Sequence, residues 1–143
     1  MGKITFFVPG KPMGKGRPRF GNGQTYTPKK TLEYEKLVQQ CYLLAGGRKI
    51  KGYISFSFRA FYPIPTRKDN KYVTKKQREQ MLTGIILPDT KPDGDNIEKI
   101  ILDALTGVAY EDDKQVVRCD GWNKMYSKDP GVLFTIGEVR ECR

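Results

Sequence analysis

The sequence predicts an α/β (α+β) fold: a single domain over residues 1–143, with a mixed, mostly antiparallel sheet flanked by helices. Three observations predict it. The stretch GYISFSFRAFYP (52–63) sets Ile54, Phe56 and Phe58 against Tyr53, Ser55 and Ser57, the two-residue period of a strand. Two other stretches repeat apolar residues at steps of three and four, the period of a helix. The C-terminal third holds two further strand-like runs, 113–126 and 131–140, expected to lie antiparallel and to be joined through Ser127–Pro130.

In chain order, KITFFVPG (3–10) is a strand closed by Pro9-Gly10. Residues 10–27 then carry Lys11, Lys15, Arg17 and Arg19 among glycines and prolines, with Phe20 and Tyr26 interleaved. Neither period is visible there, so a long basic loop is expected, a feature that compact domains usually keep for function. The first helix falls in 27–47, with Thr27 as N-cap, Pro28 at the first helical position and Gly46-Gly47 as the stop. Residues 66–82 are basic, with a short helix at Thr74–Leu82, and 83–92 connect onward. In the next helix, 95–107, Ile97, Ile100, Ile101, Ala104, Leu105 and Val108 make one apolar stripe. Asp95 is its expected N-cap, Glu98 completes a capping box, and Gly107 ends it. No repeat or internal boundary interrupts the chain.

Charge narrows the function. A formal net charge of +10 points to a polyanion, nucleic acid before an acidic membrane surface. No stretch of 18 apolar residues and no signal-peptide pattern at Met1–Gly10 occurs, so a soluble, cytoplasmic protein is expected. The three cysteines, Cys41, Cys119 and Cys142, are odd in number and lack CxxC spacing, which argues against a disulfide framework or zinc site. Histidine is absent, which excludes Ser-His-Asp and Cys-His nucleophiles and HExxH zinc sites. GKPMGKG is not a phosphate-binding P-loop, because three residues separate Gly10 from Gly14 and Gly16 follows the lysine.

Two acidic clusters stand out in this basic chain: PDGDNIEK (92–99) and YEDDKQ (110–115). Asp95, Lys99 and Asp103 recur at i, i+4 and i+8, on a different side of the helix from the apolar stripe. Asp95 alone is explained as a cap and Lys99 as its salt-bridge partner. Asp93 has no such explanation, since a second carboxylate costs repulsion unless a cation sits between them. If Asp113 turns back to meet Asp93 and Asp95, the carboxylates form a hard oxygen site suited to Mg²⁺ or Mn²⁺. Such an ion activates water and clamps a phosphodiester oxygen. Lys99 would stabilise charge on that phosphoryl group, and the basic loop would hold the remaining phosphates.

KPDGDNIEKIILDALTGVAYEDDKQV closely resembles the signature of the RusA family of Holliday-junction resolvases, D-x-D-N-x-x-K, then a D-A-L helix, then D-D-x-Q-V. VPGKPMGKGRPRF and YTPKKTLEYE resemble amino-terminal segments of its Gram-positive and phage-type members. The resemblance implies a RusA-like domain and a homodimeric, Mg²⁺-dependent endonuclease that nicks two opposing strands of a four-way DNA junction. It assigns the essential carboxylates to Asp93, Asp95 and Asp113 and the functional lysine to Lys99. Asp112 occupies the neighbouring acidic position, and Asp103 matches a recurrent aspartate for which a structural role is an equal reading. Some members carry an arginine run before the first aspartate, where this chain has LPDTKP with only Lys91 basic. Junction contacts are therefore expected from Lys11, Lys15, Arg17, Arg19, Lys29, Lys30 and Lys91, and from 67–78.

Two other readings compete. A PD-(D/E)xK nuclease needs one residue between carboxylate and lysine, whereas Glu98 and Lys99 are adjacent. A non-catalytic DNA-binding module would use the aspartates as caps and surface charges, leaving Asp93 unexplained.

Overall fold

A computed structural model describes residues 2–16, 19–66 and 72–139. Its elements are β1 (Ile4–Pro9), β2 (Arg19–Gly21), β3 (Gln24–Tyr26), α1 (Lys29–Leu44), β4 (Ile54–Tyr62), α2 (Lys75–Leu82), α3 (Gly94–Leu105), β5 (Val116–Tyr126) and β6 (Gly131–Glu138). The main sheet runs β1-β6-β4-β5. β1 and β4 both pair antiparallel with β6, and β4 pairs parallel with β5. The mixed, mostly antiparallel sheet is therefore as the sequence predicts.

The last two strands run antiparallel through the expected link, Ser127–Pro130, but they are not neighbours. β5 and β6 run in opposite directions but do not pair, because β4 lies between them. The reason is burial. β4 places Ile54, Phe56, Phe58, Ala60 and Tyr62 in the core and takes the central position. Crossing it spans two strand spacings, about 10 Å, which the short link after Tyr126 covers easily. Ser127 N–H donates to Tyr62 O (2.9 Å), pinning that link to the end of β4.

The core lies on one face of the sheet. Phe6, Phe56, Phe58 and Phe134 meet there, with the Phe134 ring stacked on Phe56 at 5.6 Å and on Phe58 at 5.8 Å. α1 covers this face with Tyr34, Val38 and Tyr42, and α3 with Ile97, Ile100, Ile101, Ala104 and Leu105. The predicted stripe of α3 is thus buried, and Val108 packs half-buried beside it.

Three local expectations are corrected. Residues 10–27 are not all loop: β2 and β3 form a hairpin about Asn22-Gly23, both with positive φ, the turn that Asn-Gly favours. α1 is capped at Pro28, not Thr27; the Pro28 carbonyl accepts from Thr31 and Leu32 N–H at 3.1 and 3.2 Å, with no side-chain cap. α3 begins at Gly94, so Asp93 holds the N-cap position and Asp95 lies in the first turn. The predicted Asp95–Glu98 capping box is absent, since the Asp93 carbonyl accepts from Asn96 and Ile97 N–H, each at 3.1 Å. Asp93 therefore has a structural reason after all: both aspartates sit at the positive end of the helix dipole, worth about 0.3–1 kcal/mol each. α2 does begin at a capping box, Thr74 with Gln77.

Candidate active site

α3 and β5 run side by side in opposite senses. At one end Gly94 lies against the Trp122 indole, where a Cβ on Gly94 would come within 2.2 Å of the ring. The glycine between the two aspartates is thus a packing requirement. Trp122 in turn stacks on Phe58 at 5.9 Å. Tyr62 donates its hydroxyl to Pro92 O, and Lys124 donates to Thr90 O at 2.7 Å, so the segment entering α3 is held from β4 and β5. Burial, and then the Asp93 charge, push the Tyr62 hydroxyl up to about 12.

At the other end the chain turns tightly after α3. Tyr110 is fully buried and donates to Leu102 O. Gln115 fastens the acidic turn. Its Nε2 donates to Ile50 O (2.9 Å) and Gly52 O (3.1 Å), and its Oε1 accepts from Glu111 and Asp112 N–H at 3.0 and 3.2 Å. Asp112 caps the one-turn 3₁₀ helix Asp113–Gln115 by accepting from Lys114 N–H at 2.9 Å. The two neighbouring aspartates therefore differ: Asp112 is committed to the backbone, while Asp113 faces outward.

Between α3 and the start of β5 lies an open cavity of about 560 Å³, lined by Asp95, Glu98, Lys99, Asp103, Asp113 and Arg118, among others. The two acidic clusters thus share one cavity. They do not converge to a point: Asp95 and Asp103 are about 12 Å apart along the helix axis, and Asp113 sits at the Asp103 end. Asp93 is not part of the cavity lining. Among the described residues, no three of His, Cys, Asp and Glu stand close enough to hold a metal ion together.

The electrostatics follow that layout. A hydrogen bond shared with Asp112, then desolvation and the charges of Asp112 and Asp103, raise the Asp113 carboxyl above its usual range. Asp112 is lowered, first by the Lys114 N–H. Glu98 is raised by burial and then by Asp95. Lys99 is exposed on the cavity and forms no ion pair among the described residues, so the expected bridges to Asp95 or Asp103 are absent.

Asp103 has another partner. Lys15 Nζ lies 3.2 Å from Asp103 and 3.3 Å from Glu35. Its backbone N–H donates to Asn96 O (3.3 Å), and a Cβ on Gly14 would stand 3.0 Å from Pro92 and 3.1 Å from Asn96. The segment before the hairpin is therefore a strap packed over the start of α3. Of the residues expected to contact DNA, Lys11, Lys29, Lys30 and Lys91 are exposed, and Lys15 is engaged in these ion pairs. Arg19 opens β2. Arg17 lies outside the described residues, as do 67–71 of the 67–78 region. Cys41 and Cys119 are free thiols, and Cys142 lies outside the described residues. No helix among the described residues is long and apolar enough to cross a membrane.

Sequence reasoning missed Gln115 and Trp122. The signal for Gln115 was its place three residues after Asp112, as a capping box requires. For Trp122 the signal was the glycine between Asp93 and Asp95.

The model of a family described as endodeoxyribonuclease RusA matches residues 9–137 of the chain. A relative from Bacillus subtilis (strain 168), "Uncharacterized protein YqaN", is 35% identical over 144 residues, covering 95% of this chain and 96% of the relative.

Proposed function

The chain belongs to the RusA endodeoxyribonuclease family, and from that premise we propose that it is a Mg²⁺-dependent endonuclease that resolves four-way DNA junctions by paired symmetric nicks. The observation that carries this reading is the shared cavity: Asp95, Lys99 and Asp113 open onto one space between α3 and β5.

The donor chemistry, though not the spacing, suits the ion. Asp95 and Asp113 offer hard carboxylate oxygens and no imidazole is near. Mg²⁺ typically takes one or two carboxylates and completes its shell from substrate phosphate and water. Asp95 at one end of the cavity and Asp113 at the other would each offer it a ligand oxygen, with Asp93 at the α3 cap. The two ends would have to draw together for both to hold the same ion. When bound, the ion supplies an activated water and neutralises charge on the phosphodiester. Lys99, exposed on the same cavity, offers a positive charge to the phosphoryl oxygens. Arg118 stands opposite on β5, held to Asp120 at 2.7 Å. Lys11, Lys29, Lys30 and Lys91 hold the flanking backbone, a salt-sensitive contribution. Paired nicks need two such cavities, so the working unit is a homodimer.

The helix-terminal placement of Asp93 and Asp95 favours the competing reading, a DNA-binding module whose aspartates are structural. The two separate in one assay. With Mg²⁺ the wild-type protein is expected to cut a synthetic four-way junction in preference to linear duplex. Asp95→Asn is expected to bind the junction and leave it whole. Equal cleavage by Asp95→Asn would refute the site, and no cleavage by either protein would favour the module.

A further inference from the structure

The β2–β3 hairpin carries an aromatic residue that lies largely outside the core of the described residues. Phe20 is 78% exposed, among the most exposed large apolar side chains of the described residues. Its partner across the hairpin is Thr25, whereas Tyr26 pairs with Arg19 and lies on the other face. The two aromatics are thus not equivalent. Tyr26 covers Gly21, where a Cβ would stand 3.1 Å from the ring. Phe20 stands largely open to solvent. An exposed phenylalanine is costly to solvate, and here it stands near the end of a built hairpin with a tight Asn22-Gly23 turn.

Its surroundings select the kind of partner. The hairpin leads directly into Lys29 and Lys30, both exposed, in a chain of net charge +10. A second copy of this basic chain would be repelled from the patch, whereas a polyanion is drawn to it. Nucleic acid offers both features that the patch complements, phosphates for the lysines and apolar base faces for the ring. Distance also fits. Lys15 is anchored to α3 through Asp103 and Asn96. Five residues of chain, at most about 18 Å, separate it from Phe20. Phe20 therefore stands at most about five nucleotide steps, at 3.4 Å per strand, from that anchor.

We propose that Phe20 is a base-stacking wedge, which presses against a splayed base at the branch point while a strand of the same junction lies in the α3–β5 cavity. The proposal rests on the junction-endonuclease reading. It assigns structure selectivity to an apolar contact, because an intact duplex offers no splayed base. The lysines supply attraction to any DNA, and Phe20 supplies the preference for a branch.

The test uses the full chain carrying Asp95→Asn, so that DNA is bound and not cut. Affinities for a four-way junction and for a linear duplex are compared with and without Phe20→Ala. Permanganate reactivity of thymines at the branch reports unstacking. Phe20→Ala is expected to weaken junction binding about tenfold, leave duplex binding within about twofold and abolish the added thymine reactivity. Phe20→Trp is expected to retain all three properties. Unchanged junction affinity and thymine reactivity, or equal loss on junction and duplex, would overturn the wedge. So would dissociation of a dimer by Phe20→Ala in sedimentation equilibrium, which would place a second copy on the ring. Failure of the Phe20-containing protein to prefer junction over duplex would instead refute the functional reading, and the wedge with it.

Discussion

The two ends of α3 carry similar acidic residues under opposite physical conditions. At the N-terminal end, Asp93 and Asp95 sit where the helix dipole is positive, and the dipole stabilises them. At the C-terminal end, Asp103 lies in the last turn, where the dipole is negative, and Asp112 and Asp113 crowd in from the following turn. That end is unfavourable by construction and needs cations. Lys15 is one, reaching from the strap to Asp103 and Glu35. Asp113 has no ion pair among the described residues, and its carboxyl is raised. One end of the cavity is therefore electrostatically satisfied by the fold, and the other retains a demand for positive charge. Gln115 keeps that acidic turn in place with four hydrogen bonds, two donated and two accepted.

Changes that act on one end only can sharpen the contrast. Gln115→Leu strikes the C-terminal end. It leaves the Ile50 and Gly52 carbonyls and two N–H groups without their partner, and chemical denaturation is expected to show a loss of about 1–3 kcal/mol. Cleavage should fall further than stability predicts, because the turn that holds Asp113 is released. Stability and cleavage falling in proportion would reduce Gln115 to a plain structural residue.

Gly94→Ala strikes the N-terminal end. The added methyl meets the Trp122 ring, and overpacking of this kind costs about 1–3 kcal/mol, towards the lower part of that range because the indole is 41% exposed and can shift. A blue or red shift of Trp122 emission should accompany it, and an unchanged spectrum with unchanged stability would contradict the packing.

The smallest effect belongs to Lys15→Met. Its ion pairs are partly exposed, so the stability change should stay below about 1 kcal/mol and shrink in high salt. Lys15→Arg should restore it. A large, salt-independent loss would mean that the strap is held by packing alone.

The same contrast marks what the sequence could reveal. The apolar stripe of α3 and the alternation of β4 were legible because both are local periods. The cap of α3 was misread because Asp93 and Asp95 satisfy the same cap rule, and nothing local to the sequence chooses between them. The antiparallel sense of β5 and β6 was legible from their short link, but the place of β4 between them was not, since it follows from burial of β4 across the fold. The hairpin was a true oversight, as Asn22-Gly23 is a local signal. The ion pairs of Lys15 were not legible, because its partners, Glu35 and Asp103, are remote in sequence. That the acidic clusters share a cavity without meeting at a point is a consequence of helix length and was open until the turn after α3 was seen.

The most direct test of the account is Asp113→Asn in a four-way junction cleavage assay with Mg²⁺, read beside junction affinity and thermal melting. The account predicts affinity within about threefold of wild type, a melting temperature equal or higher because repulsion at the C-terminal end is relieved, and cleavage reduced at least about a hundredfold. Cleavage at the wild-type rate by a folded Asp113→Asn protein would contradict it.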